Sequence, residues 1–251
     1  MPTRPRLSPL TGLILLMGAL LWTGCEDNII ELDESGELVL EDLTVGTGDS
    51  VAVGQRLEIH AKGSLRDGGT VFMDSHSDNR PLVIFYGESD LLEGLEQGIA
   101  DMKEGGVRKM TIPPRLAFGV REIDRIPPNS TVVFDIELLR VDDPDSLGIT
   151  DIKVGTGAVA ADGDTLTTYY LGYLPSGQIF DRTTVSPISF VLGSRQVITG
   201  WDQGLRGMRE GGVRRLVIPP GLAYGNQGSG IIRPGDTIIF EVELVKVRKG
   251  S

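Results

Sequence analysis

An eighteen-residue segment of this chain is written twice, and that repeat limits its architecture more than any other feature. Met102-Lys-Glu-Gly-Gly-Val-Arg-Lys-Met-Thr-Ile-Pro-Pro-Arg-Leu-Ala-Phe-Gly119 returns 106 positions later as Met208-Arg-Glu-Gly-Gly-Val-Arg-Arg-Leu-Val-Ile-Pro-Pro-Gly-Leu-Ala-Tyr-Gly225, with twelve identities. The same offset relates Val132–Val141 to Ile238–Val247, and Asp42-Leu-Thr-Val-Gly-Thr-Gly48 is echoed by Asp151-Ile-Lys-Val-Gly-Thr-Gly157. A period of this length is a whole domain, whereas solenoid units repeat every 20–50 residues. The chain therefore divides into a domain at 38–142, a polar linker at 143–147 and a second domain at 148–248.

Within each copy, short β-branched runs alternate with turn residues. Val213–Ile218 and Thr237–Val247 read as strands. Ile198, Trp201, Leu205 and Met208 in the second copy, and Leu92, Leu95, Ile99 and Met102 in the first, step by three and four along one helical face. Glycines at 200, 204 and 207 make this a poor helix in isolation, so packing on a sheet must stabilise it. One short helix on an antiparallel sheet is an α+β fold. The Val-Gly-Thr-Gly segments lack the Lys-Ser of a phosphate loop and read as turns.

The N-terminus carries Arg4 and Arg6, then thirteen residues from Leu10 to Trp22, then Thr23-Gly24-Cys25. That apolar stretch is shorter than the ~20 residues of a bilayer span and fits a secretory leader over residues 1–24. Its end resembles a bacterial lipobox, in which Cys25 is lipidated and becomes the first residue of the mature chain; an ordinary leader with an incidental cysteine is the alternative. Residues 25–37 read as an acidic tether, and the expected place is the bacterial envelope, on the inner or outer membrane facing the periplasm. Loss of the leader takes the net charge from −11 to −13. This acidity sets nucleic acid aside as a partner. Lys103, Arg108 and Lys109, with Arg209, Arg214 and Arg215, read as solvated cations on an exposed strand. A single cysteine excludes disulfide frameworks. His60 and His76 show no ligand spacing, so neither a metal nor a cofactor is expected.

No nucleophile–base set stands out. The second copy instead collects aromatic and aliphatic residues in a fixed order: Tyr170-Leu-Gly172, Gly177-Gln-Ile-Phe-Asp181, Gln196-Val-Ile-Thr-Gly-Trp201, Leu222-Ala-Tyr-Gly225, Ile231-Ile232 and Phe240. Singly, each has a structural role available, as core or turn residue; jointly, the order resembles the FKBP-type peptidyl-prolyl isomerases over nearly all of 150–248, and the first copy follows the same framework. The resemblance implies two tandem domains, each an antiparallel sheet curled around the helix with a pocket between. It implies Trp201 as the pocket floor, with Tyr170, Phe180, Ile188, Val197, Ile198, Ile231, Ile232 and Phe240 as walls, and Asp181 and Tyr224 as polar groups near the amide. It also implies catalysis by Tyr170, Asp181, Trp201 and Tyr224 without a cofactor, on proline-containing polypeptides, with macrolide-type molecules as family ligands.

The first copy departs from the pattern. Ala61 stands for Tyr170, Leu95 for Trp201 and Phe118 for Tyr224; Gly68-Gly69 adds a residue, and Phe72-Met73-Asp74 separates the aromatic from the carboxylate that adjoin in Phe180-Asp181. The expectation is an isomerase that assists folding of exported proteins, its activity concentrated in the second domain. A non-catalytic peptide-binding chaperone is the competing reading, and an inert structural lipoprotein fits the first copy only.

Overall fold

In each copy the strand-forming runs pair into one antiparallel sheet. The computed structural model describes residues 36–77, 79–87 and 91–250, so the expected leader, Cys25 and most of the expected tether lie outside the described residues. The first sheet contains β1 (Val39–Thr44), β2 (Arg56–Leu65), β3 (Val71–Asp74), β4 (Leu82–Phe85), β5 (Val107–Ile112) and β6 (Val132–Asp142). Its order is β1-β5-β6-β2-β3, with β4 on the same long strand β2. The second contains β7 (Gly148–Lys153), β8 (Thr165–Tyr173), β9 (Ile179–Arg182), β10 (Ile188–Val191), β11 (Val213–Ile218) and β12 (Ile238–Arg248). It repeats the layout as β7-β11-β12-β8-β10, with β9 also on β8.

One short helix lies on each sheet, α1 (Glu93–Ile99) and α2 (Thr199–Gly204), both shorter than the apolar periodicity that announces them. Met102 and Met208 fall beyond the helix ends but remain buried in the two cores. The glycines that weaken these helices are what lets them settle: a Cβ on Gly200 would stand 2.4 Å from Ile218 Cγ2. Each core is closed by its own sheet and helix, around Leu57, Ile99 and Ile136 in the first domain and Leu205, Leu216 and Val242 in the second.

The two copies differ on the outer face of the sheet. Along β5 buried and open positions alternate, as a strand with one wet face requires. Along β11 Arg214 to Ile218 are all buried, because the first domain covers the outer face. Val83 packs there with Tyr173, Val217 and Ile239 in a third apolar cluster. Arg215 crosses to Glu58 at 3.3 Å, both side chains 2% exposed, and donates to the Pro81 carbonyl at 2.6 Å. Arg80 reaches Glu241 at 3.1 Å. Arg56, fully buried, holds the connection through Asp142 and the Ser146 carbonyl.

These contacts correct the expectation for the basic residues. Arg108 and Arg214 are buried beside their sheets, bound to Asp42 and Asp151 and to the Gly98 and Gly204 carbonyls at the helix ends. Lys109 remains exposed, whereas its counterpart Arg215 is enclosed between domains. Burial of a guanidinium is tolerable here because each finds charged or carbonyl acceptors.

Candidate functional site

The site grows from alternation along β8. Tyr170 and Gly172 point inward, and a Cβ on Gly172 would meet the rings of both Phe180 and Phe240 at 2.7 Å. Its absence lets those rings approach edge to face, 5.4 Å between centroids. Trp201 rises from α2 beneath them, 2% exposed, with Tyr170 at 5.2 Å, Phe240 at 5.1 Å and Phe190 at 5.7 Å. The Tyr170 and Phe240 rings stand near-perpendicular to the indole, a preferred aromatic geometry, while Phe190 is tilted at 54°. The indole N–H has no acceptor among the described residues.

Above this floor is a cleft of about 410 Å³. Tyr170, Trp201 and Phe240 line its base; Ile188, Val197 and Ile198 form walls; Asp181 and Tyr224 supply polar groups. No arginine side chain pairs with Asp181 among the described residues, yet the carboxylate is held. Tyr170 Oη donates to Asp181 Oδ2 at 2.7 Å, and the Arg182 N–H donates to Oδ1 at 2.8 Å. Burial, then the hydrogen bond to Asp181, pushes the Tyr170 phenol up to about 12. Burial and the charge of Asp181 also raise Tyr224, so both phenols keep their protons at neutral pH. The Ile198 N–H, preceding the first turn of α2, lies outside the helix's own hydrogen bonding.

Three expected wall residues are placed differently. Phe180 supports Phe240 from the side, and Ile232 is 5% exposed within the core. Ile231 is 44% exposed and lines a separate groove with Phe85, Leu174 and Pro220. Neighbouring residues on an irregular loop diverge in direction, and adjacency in sequence hides this. The ordered motifs assign no site role to Arg195, Gln196 or Asp202. Arg195 and Gln196 line the cleft. Asp202 is 6% exposed and accepts from the Gly193 and Arg195 N–H groups at 2.8 and 3.0 Å, clamping the rim to α2. A carboxylate beside Trp201 on an otherwise apolar helix face was the available signal.

In the first domain the same scaffold carries other side chains. Gly63 opposes Met73 where Gly172 opposes Asp181: Val71 and Phe72 keep the places of Ile179 and Phe180, and Met73, standing between the aromatic and the carboxylate, puts Asp74 one position along β3. One step reverses a side chain's face. Asp74 accordingly sits beside His76, at 3.4 Å, away from the pocket position. Leu95 and Ala61 are buried in the core, and Phe118 packs edge-on to Phe72 at 6.1 Å.

The family model for FKBP-type peptidyl-prolyl cis-trans isomerases matches residues 48–139 and again 157–245. The chain belongs to this family. FKBP relatives include human peptidyl-prolyl cis-trans isomerase FKBP9, 34% identical over 203 residues, 78% of this chain and 35% of that protein. Mouse FKBP10 is 36% identical over 76% of this chain and 34% of its own length. The chain thus spans about a third of these curated relatives. A Streptomyces anulatus FK506-binding protein is 47% identical over 109 residues, 41% of this chain and 88% of that protein. Among solved FKBP structures, FkpA from Escherichia coli is 39% identical, with a TM-score of 0.39, over 42% of this chain and 50% of that one.

Proposed function

We propose that the chain isomerises prolyl peptide bonds, with residues 148–248 carrying the reaction and the first domain nearly silent. The observation behind this reading is the aromatic cleft over Trp201, closed below by three rings and edged by the Tyr170–Asp181 pair and Tyr224. Rotation about a peptide bond must break amide resonance, at about 18–20 kcal/mol. A planar amide is more dipolar than a twisted one, so an apolar cleft that strips its water disfavours the ground state relative to the transition state. The prolyl ring rests on the indole while protonated Tyr224, whose hydroxyl has no partner among the described residues, donates to a substrate carbonyl. Tyr170 and Asp181 fix each other and keep the wall rigid. A thousandfold acceleration needs about 4 kcal/mol of such differential binding.

The substrates are then proline-containing polypeptides, and macrolide-type molecules are expected to compete for the same cleft. The leader and Cys25 support a lipid-anchored place in the bacterial envelope, where the clients would be exported proteins. The full-length chain should speed cis–trans exchange in a short Xaa-Pro peptide, and Trp201→Leu should remove most of that acceleration. An unchanged rate in the variant would end the assignment of this cleft. Separately, Cys25→Ser should release the protein from membranes; an unmodified Cys25 by mass spectrometry would reject the anchor.

A further inference from the structure

The rim of the cleft carries a cation that the isomerisation itself does not require. Arg195 lines the cleft, is exposed, and its guanidinium has no acceptor among the described residues. The other charged group there, Asp181, is engaged by Tyr170 and the Arg182 N–H. Arg195 is also held in place. Its backbone is left-handed, φ 61°, a region costly for a bulky residue, and buried Asp202 anchors its N–H. Gln196 beside it is tied to the Val191 N–H.

The second copy can be read against the first at this segment. Where the cleft-bearing domain has Ser194-Arg195-Gln196, the first has Glu88-Ser89-Asp90. Two carboxylates in one copy are thus replaced by one guanidinium in the other, within a chain whose net charge is −11. A free, backbone-anchored cation at the mouth of an apolar cleft attracts carboxylates in a molecule that otherwise repels them.

We propose, on the premise that the cleft isomerises prolyl bonds, that Arg195 sets substrate preference by favouring segments with an acidic side chain within a residue or two of the proline. An exposed ion pair has modest strength and is screened by salt. Expected, therefore, is about a twofold to fivefold advantage in kcat/KM for a Glu peptide over its Gln isostere at low ionic strength, most of it lost near 1 M salt.

The test uses the full-length protein and peptides differing only in Glu, Gln or Lys, placed in turn on either side of the proline. The Glu-to-Gln ratio is measured within each variant, so a general change in activity cancels. Arg195→Lys should retain the preference, Arg195→Asn, which tolerates the left-handed backbone, should bring it to one, and Arg195→Glu should turn it toward Lys. Circular dichroism confirms folding of each. A ratio near one in the unaltered protein, or a ratio indifferent to Arg195, overturns the proposal while leaving isomerisation standing. No turnover of even the Gln peptide would instead overturn the premise.

Discussion

At Tyr224 a single hydroxyl separates the two domains, since Phe118 stands at the matching position of the first. Tyr224→Phe deletes a donor worth about 1 kcal/mol and should slow peptide isomerisation about fivefold to tenfold, with thermal stability little changed. Trp201→Leu copies Leu95 and should cost about tenfold by the same peptide assay, because it removes the flat surface under the prolyl ring while keeping the site apolar. Trp201→Ala is a poorer probe: emptying a fully enclosed indole site costs about 3–5 kcal/mol of folding as well. Tyr170 has a pH signature. Its folded value near 12 lies above the ordinary phenol value, so its stabilisation is complete below about pH 10 and disappears as pH rises through 12. Tyr173, buried, is pushed up to about 12 as well, so ultraviolet phenolate titration should show two late-ionising tyrosines, one of which Asp181→Asn makes easier to ionise; no difference between the two proteins would refute the pairing.

At the scale of elements, the short helix and its sheet explain each other. Gly200 faces Ile218 so closely that any Cβ forces one of them aside. Gly200→Ala should therefore destabilise the protein by about 1–3 kcal/mol, although alanine is the better helix former. Thermal melting decides between these opposed effects, and a stabilised variant would mean that the helix can lift without cost. Register was only half legible. The methionine between Phe72 and Asp74 announces a slip, but the pairing of Gly63 with Met73 is what shows Asp74 turned away from the pocket. The strand positions of the second domain, by contrast, follow from alternation because one face must be dry.

For the molecule as a whole, the first domain covers the back of the sheet that bears the cleft. Glu58 and Arg215 are both nearly inaccessible, and Arg215 Nε and Glu58 Oε1 have no partners among the described residues. Removing one charge strands the other, so Glu58→Gln should lower stability by about 3–5 kcal/mol, whereas replacing both residues with apolar ones should restore much of it. Urea unfolding of the single and double variants measures this; equal stability of all forms would show the pair to be immaterial. Separating the domains would also expose Tyr173, Val217 and Ile239. Point variants in the full-length chain are therefore the sound comparison between the two pockets, with the roughly tenfold loss expected of Trp201→Leu left uncompensated by an unaltered first domain.

The repeat, the strand pattern and the ordered aromatic motifs belong to local and periodic information, and they determined the number of domains, the antiparallel sheets, the helix position and most of the cleft. Tyr170, Asp181, Ile188, Val197, Ile198, Trp201, Tyr224 and Phe240 do converge on one cleft. The tertiary structure alone decided which face a loop residue takes, so Ile231 left the cleft and Arg195 entered it. It alone decided that Arg215 is enclosed while Lys109 is wet, though the two occupy the same place in the repeat. The physical reason is that periodicity reports which side of a strand is apolar, while burial of the other side depends on what a distant part of the chain brings against it.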